Sequence, residues 1–300
     1  MTNPPIPSTG VLVDGCAFTE DPRWRGDRLW FSDFYAHEVH SVGMAGDDRV
    51  EVTLDDQPSG LGWLPDGRLL IVSMTERKVV RREPDGTLVD HADLSDIATW
   101  WCNDMFVDGK GRAYVGHFGF DLDAFLDEHG EAAVLAEPGP PRAHVILVHA
   151  NGAFEVAADD MRFPNGTVLT PDGQTLIVAE TLGLRLSAFD VADDGRLYNR
   201  RVWADLSAEL IPPDGICLDE EGAVWVANAL GPTCVRIREG GEITDRVLFD
   251  QNVFACTLGG PDGTTLFACT APDSHAGRRS GERRARIEVA TVEVPGVGVP

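Results

Sequence analysis

Six times along the chain a short hairpin recurs, and no other feature constrains the fold as much. The copies read EDPRWRGDRLWFSD, SGLGWLPDGRLLIVS, NDMFVDGKGRAYVGH, NGTVLTPDGQTLIVAE, DGICLDEEGAVWVAN and CTLGGPDGTTLFACT. Aligned on Gly26, Gly67, Gly111, Gly173, Gly222 and Gly263, they are spaced 41, 44, 62, 49 and 41 residues apart. The recurrent PDG places Pro where φ is preset and Gly where φ must be positive, between runs of β-branched and aliphatic residues that favour strands. A period of about 40 to 45 residues in an all-strand pattern predicts a β-propeller, with one four-stranded blade per repeat.

The rest of each blade can be read as well. Third strands follow as EVHSV, KVVRR, HVILVHA, LSAFDV, CVRIRE and IEVATVEV, and fourth strands as VEVTL, LVDHADL, AFEVAAD, RRVWADL and ITDRVLF. The chain ends before a sixth fourth strand. GVLVDGCAF, at about 10–18, is expected to supply it, completing the C-terminal blade and closing the ring so that two sheet edges disappear. The expectation is an all-β, six-bladed propeller of four-stranded antiparallel blades, forming a single domain over 1–300. The 62-residue gap carries an insertion at about 118–142, read as a short helix followed by a Pro/Gly loop. Long loops in compact domains tend to bind or cover a site, although this one reads equally as decoration.

Composition excludes several classes of partner. A formal net charge of −24 argues against nucleic acid or an anionic membrane surface, and 43% hydrophobic residues suffice for a large core. No apolar run reaches membrane-spanning length, and the start MTNPPIPSTG lacks the blocks of a signal peptide, so the expected location is cytoplasmic. Cys16, Cys102, Cys217, Cys234, Cys256 and Cys269 show no metal-type spacing and are expected to be free structural thiols.

Radial symmetry brings equivalent positions of the six inner strands to one axis. Those positions are Glu20, Ser59, Asn103, Asn165, Asp214 and, in the last blade, Ala255 or Cys256. Asn or Asp ahead of a strand often only caps a turn, but four oxygen-bearing side chains at equivalent places point to one site. Two carboxylates with one or two amides form a hard oxygen set suited to Ca2+, Mg2+ or Mn2+. Most histidines fall in outer strands or loops. His117, which ends the second strand of the blade carrying Asn103, is the one expected to face the pocket mouth.

FTEDPRW, CNDMFVDGKGRAYVG, FPNGTVLTPDGQTLIVAET and PDGICLDEEGAVWVA together resemble the senescence marker protein / gluconolactonase / luciferin-regenerating-enzyme family of six-bladed propellers. The resemblance covers essentially the whole chain, and more distantly the chain is similar to diisopropyl fluorophosphatase and paraoxonase. It implies that Glu20, Asn165 and Asp214 bind one divalent cation, with Asn103 a further ligand or substrate contact. Ca2+ is the first expectation, with Mn2+, Mg2+, Zn2+ or Fe2+ as alternatives. It also implies hydrolysis of a lactone, with Asp214 as first candidate for the general base and Asp104 as second.

The sugar-lactone hydrolases of that family carry Arg two residues before the Asn of the ND motif, where this chain has Trp101. With Phe118 and Phe120 following, the mouth reads as more apolar than gluconolactone requires, while Asp121 remains available to a substrate hydroxyl. The expected partner is therefore a small lactone less polar than gluconolactone, with no nucleic acid or membrane partner. A phosphotriesterase-like hydrolase on the same cation and a non-catalytic metabolite-binding propeller are the alternatives. Monomer or dimer is left open.

Overall fold

The computed structural model describes residues 8–136 and 138–298. The extreme N-terminal stretch read for targeting signals (1–7) and one residue of the insertion (137) lie outside them. Six four-stranded antiparallel sheets succeed one another around a ring. The inner strands are Thr19–Arg25, Pro58–Trp63, Cys102–Val107, Pro164–Leu169, Pro213–Leu218 and Asn252–Gly259. The closing strand is Thr9–Cys16. It pairs antiparallel with Ala285–Thr291, Thr9 opposite Ala290 and Cys16 opposite Ala285, as the outermost strand of the sixth blade.

Packing follows from the two-residue period of the strands. In the second blade, Leu70 and Val72 face the third blade, while Leu69 and Ile71 face the first. Both faces of every blade are therefore apolar, and six hydrophobic clusters form, one at each junction between neighbouring blades. All six cysteines are free and buried. No described helix is long and apolar enough to cross a membrane. The insertion folds as two helices, Leu122–His129 and Glu131–Leu135, rather than one.

One buried charge holds the fourth blade together. The Glu180 carboxylate accepts from the Arg162 backbone N–H at 2.8 Å, Arg185 Nε at 2.9 Å and Arg200 Nη2 at 2.8 Å, and also from the Ser187 hydroxyl. Burial opposes ionisation, but these donors outweigh it and hold the carboxyl at about 2. Its folded value lies below its unfolded one, so its contribution is present above about pH 4.5 and is lost as pH falls toward 2. Glu180→Gln should cost about 2 kcal/mol at pH 7, the half-exposed arginines reducing the figure for a fully buried pair. Urea unfolding at pH 7 and pH 3 checks this, because the difference between wild type and variant should shrink at the lower pH.

Candidate axial site

The inner strands do not enter the axis smoothly. In five blades a bulge sets two consecutive residues opposite one, with register shifts at Glu20/Arg23, Pro58/Leu61, Cys102/Met105, Pro164/Thr167 and Pro213/Ile216. The first bulged residue of each pair is Ser59, Asn103, Asn165 or Asp214, and Glu20 occupies the matching place in the first blade. The second is Gly60, Asp104, Gly166 or Gly215, with Asp21 matching. Here the backbones of adjacent blades nearly touch. A Cβ on Gly60 would lie 2.5 Å from the Met105 nitrogen, and one on Gly166 2.5 Å from the Ile216 nitrogen. Asp21 solves the same problem differently: at φ 44° its carboxylate accepts from the Leu61 backbone N–H and from Arg23 Nη2 at 2.6 Å.

The sixth strand departs from the expected register. Its shift falls between Val253 and Ala255, which brings Phe254, and neither Ala255 nor Cys256, to the axial position. The one-residue shift lies farther from the turn than in the other blades, so Ala255 and Cys256 stay paired with Cys269 and Ala268, which counting from the Gly of the turn could not reveal. Phe254 packs on Phe18 with ring centroids 4.8 Å apart.

Glu20, Asn103, Asp104, Asn165 and Asp214 are left with 3–7% exposure at the end of the ring where the inner strands begin. A chain of side-chain hydrogen bonds runs around them. Ser59 Oγ donates to Asn103 Oδ1, Asn103 Nδ2 to Asn165 Oδ1 and Asn165 Nδ2 to Thr181 Oγ1, each at 3.2 Å. Thr181 in turn donates to the Pro213 carbonyl at 2.7 Å. This fixes both amides, and each amide oxygen keeps one lone pair free. Thr181 carried no repeat signal, since it lies in the turn beyond the second strand of its blade.

The carboxylates are under electrostatic pressure. Burial, then the charges of Asp214 and Asp104, drive the Glu20 carboxyl well above the ordinary range. Burial and then Asp104 do the same to Asp214, partly relieved by a hydrogen bond from Asn165. Burial lifts Asp104 to about 6 against the charge of Arg23, and its Oδ1 is buried without a hydrogen-bond partner. Arg23 is committed below, to Asp21 and to the Met105 carbonyl at 2.7 Å. Three acids with no ion-pair partner among the described residues, one holding an orphaned oxygen, and two oriented amide oxygens make a donor set that fits a hard divalent cation. Among the described residues no three His, Cys, Asp or Glu side chains make a metal cluster by themselves, so such a site depends on the amides.

Above the acids the walls are aromatic. Trp101 and Phe118 pack half-buried against the cluster that holds Phe18, Phe34 and Phe254, and Phe118 stacks on Phe163 at 4.6 Å. Two other sequence candidates are occupied elsewhere. Asp121 caps the helix Leu122–His129, accepting from the Ala124 N–H at 3.0 Å. His117 is fully buried, its Nε2 accepting the His144 backbone N–H at 3.0 Å. Burial and the neighbouring His144 hold His117 down at about 4, and no axial carboxylate acts on it.

A six-bladed propeller whose axis ends in a cup of buried carboxylates and amides beneath an aromatic mouth is the class of protein defined by this geometry. Residues 18–272 match the family described as SMP-30/Gluconolactonase/LRE-like region, and the chain belongs to that family. It is 25% identical to regucalcin of Sus scrofa over 268 residues, covering 88% of this chain and 86% of the relative. Among solved structures it is similar to a calcium-binding protein, regucalcin, from Agrobacterium tumefaciens (TM-score 0.80, 21% identity, 100% and 99% of the two chains). It is also similar to a gluconolactonase from Xanthomonas campestris (TM-score 0.72, 21% identity, 98% and 96%). At these identities the solved structures bear on the fold.

Proposed function

We propose that the protein is a divalent-cation-dependent lactonase acting at the axial cup. The observation that carries the reading is the buried convergence of Glu20, Asp104 and Asp214 with oriented Asn103 and Asn165, in a family that includes gluconolactonases. Glu20, Asn165 and Asp214 would hold the cation, with Asn103 beside them. Ca2+ suits this oxygen set best, in keeping with the calcium-binding relative. Bound there, a divalent cation supplies Lewis-acid polarisation of the lactone carbonyl.

The chain's own groups do the rest. Trp101 and Phe118 offer flat apolar faces that orient the ring and exclude bulk water. Asp104 is favoured over Asp214 as general base, because its Oδ1 is unengaged while Asp214 is committed as a ligand. The attacking water bonds the acyl carbon and passes a proton to Asp104. The acyl–oxygen bond breaks, Asp104 hands that proton to the ring oxygen, which leaves as a hydroxyl, and the new carboxylic acid ionises, releasing one proton overall. The aromatic mouth favours a lactone less polar than gluconolactone.

That released proton gives the test. Chelated protein is assayed by pH-stat on gluconolactone and on aliphatic and aryl lactones, with Ca2+, Mn2+, Mg2+ or Zn2+ restored singly. Activity absent after chelation, restored by a cation and highest on a less polar lactone is the expected result. Undiminished activity in the chelated protein would remove the cation from the account.

A further inference from the structure

The loop between the second and third strands of the sixth blade, 272–284, lies at the same end of the ring as the axial cup, because antiparallel pairing puts the ends of second strands beside the starts of inner strands. The Phe34–Ala36 turn of the first blade lies at that end too, and so does the insertion. In a chain of net charge −24, residues 278–286 carry five arginines: Arg278, Arg279, Arg283, Arg284 and Arg286. Four of them reach solvent. Arg279 does not: it is 2% exposed.

Burial of a guanidinium calls for acceptors on all its N–H groups. Arg279 has them on one side only. Its Nη2 faces Glu282 at 2.9 Å and Asp273 at 3.4 Å, while Nε and Nη1 are buried with no hydrogen-bond partner among the described residues. Tyr35 ties this loop to the aromatic wall. Its hydroxyl donates to the Ser274 carbonyl at 3.4 Å, and its ring lies 6.0 Å from Phe18 on the aromatic wall.

We propose that Arg279 is a specificity-determining residue that receives an anionic group of the substrate, making the preferred substrate a lactone that bears a carboxylate. The proposal rests on the lactonase reading and names its substrate class. An anion seated there supplies acceptors for Nε and Nη1, its ring packs on the aromatic wall, and its acyl group reaches the cup. The surrounding arginines offset, at the mouth, the repulsion that a strongly acidic protein otherwise presents to an anion. Guanidinium with two open donors suits a planar carboxylate, and a phosphate ester shares that chemistry.

The test compares 5-oxotetrahydrofuran-2-carboxylate with its neutral primary amide, a near-isosteric pair, in the wild type, Arg279→Gln and Arg279→Lys. Wild type should favour the acid, and Arg279→Gln should lower the acid-to-amide ratio of kcat/KM by about 10- to 100-fold, the range expected for charge-assisted hydrogen bonds. Arg279→Lys should recover part of it. An unchanged ratio in folded Arg279→Gln, with thermal melting verifying the fold, overturns the proposal while leaving the lactonase intact. Inorganic phosphate is tested as a competitor. Inhibition by phosphate stronger than by acetate, and dependent on Arg279, would overturn the carboxylate in favour of a phosphate ester. If wild type opens neither lactone, calorimetry with tetrahydrofuran-2-carboxylate decides. Arg279-dependent binding supports the anion site and removes the lactonase reading, whereas no such binding removes both.

Discussion

Asp214→Asn is expected to lower kcat/KM for lactone opening by about 1000-fold or more. The change keeps shape and hydrogen bonding but takes one of two charged donors from the proposed cation site, and Lewis-acid stabilisation of several kcal/mol disappears with it. The same substitution should act on stability with the opposite sign. Asp214 is buried beside Asp104 with no basic partner among the described residues, so its negative charge opposes folding whenever no cation is bound. Chelated Asp214→Asn should therefore melt above chelated wild type, and added Ca2+ should raise the wild type and not the variant. Steady-state kinetics and melting with and without Ca2+ test both halves. A variant that is inactive and also less stable without the cation would mean that Asp214 serves the fold rather than the site.

Chelated wild type should lose stability as pH rises from about 4 toward neutrality. For an acid whose folded pKa is raised, the stabilising contribution is complete below the unfolded value, where both states are protonated, and falls away as pH climbs through the folded value. Asp104, moved from 3.8 to about 6, accounts for about 3 kcal/mol of that loss, and Glu20 and Asp214 shift in the same direction. Cation-free protein should consequently melt several degrees higher at pH 5 than at pH 7.5, and saturating Ca2+ should flatten or reverse the trend. Glu180 works against this trend only at strongly acidic pH, since its carboxyl titrates near 2. Melting curves across pH 4.5–8 measure the effect. A cation-free stability that rises steadily with pH would show that the axial carboxylates are compensated by something other than a bound cation.

Much of the ring was legible because its causes are local and repeated. The PDG turns, the two-residue alternation and the blade spacing announce six sheets, and the orphaned last strand announces Thr9–Cys16 as the closure. Asn103, Asn165 and Asp214 were legible by symmetry, as equivalent bulged positions in equivalent strands. What broke that symmetry was not legible. The displaced bulge of the sixth blade substitutes Phe254 for the expected Ala255 or Cys256. Asp121 sits where a helix start can use it, and the helix takes it as a cap. His117 ends its strand beside His144, a neighbour 27 residues away that only the pairing of strands reveals. Tyr35 and Arg279 come from loops of two blades adjacent in space but separated by nearly the whole sequence, and loops obey no period.

The most direct test of the account is a calorimetric titration of chelated protein with Ca2+ at pH 6.5, repeated in buffers of different ionisation enthalpy so that proton release is counted. If one cation enters a cup whose carboxylates hold protons more tightly than usual, binding must expel some of them. The account predicts one site per chain, proton release on binding, and loss of both in Glu20→Gln. Binding without proton release, and unaffected by Glu20→Gln, would place the cation on the acidic surface and contradict the axial site.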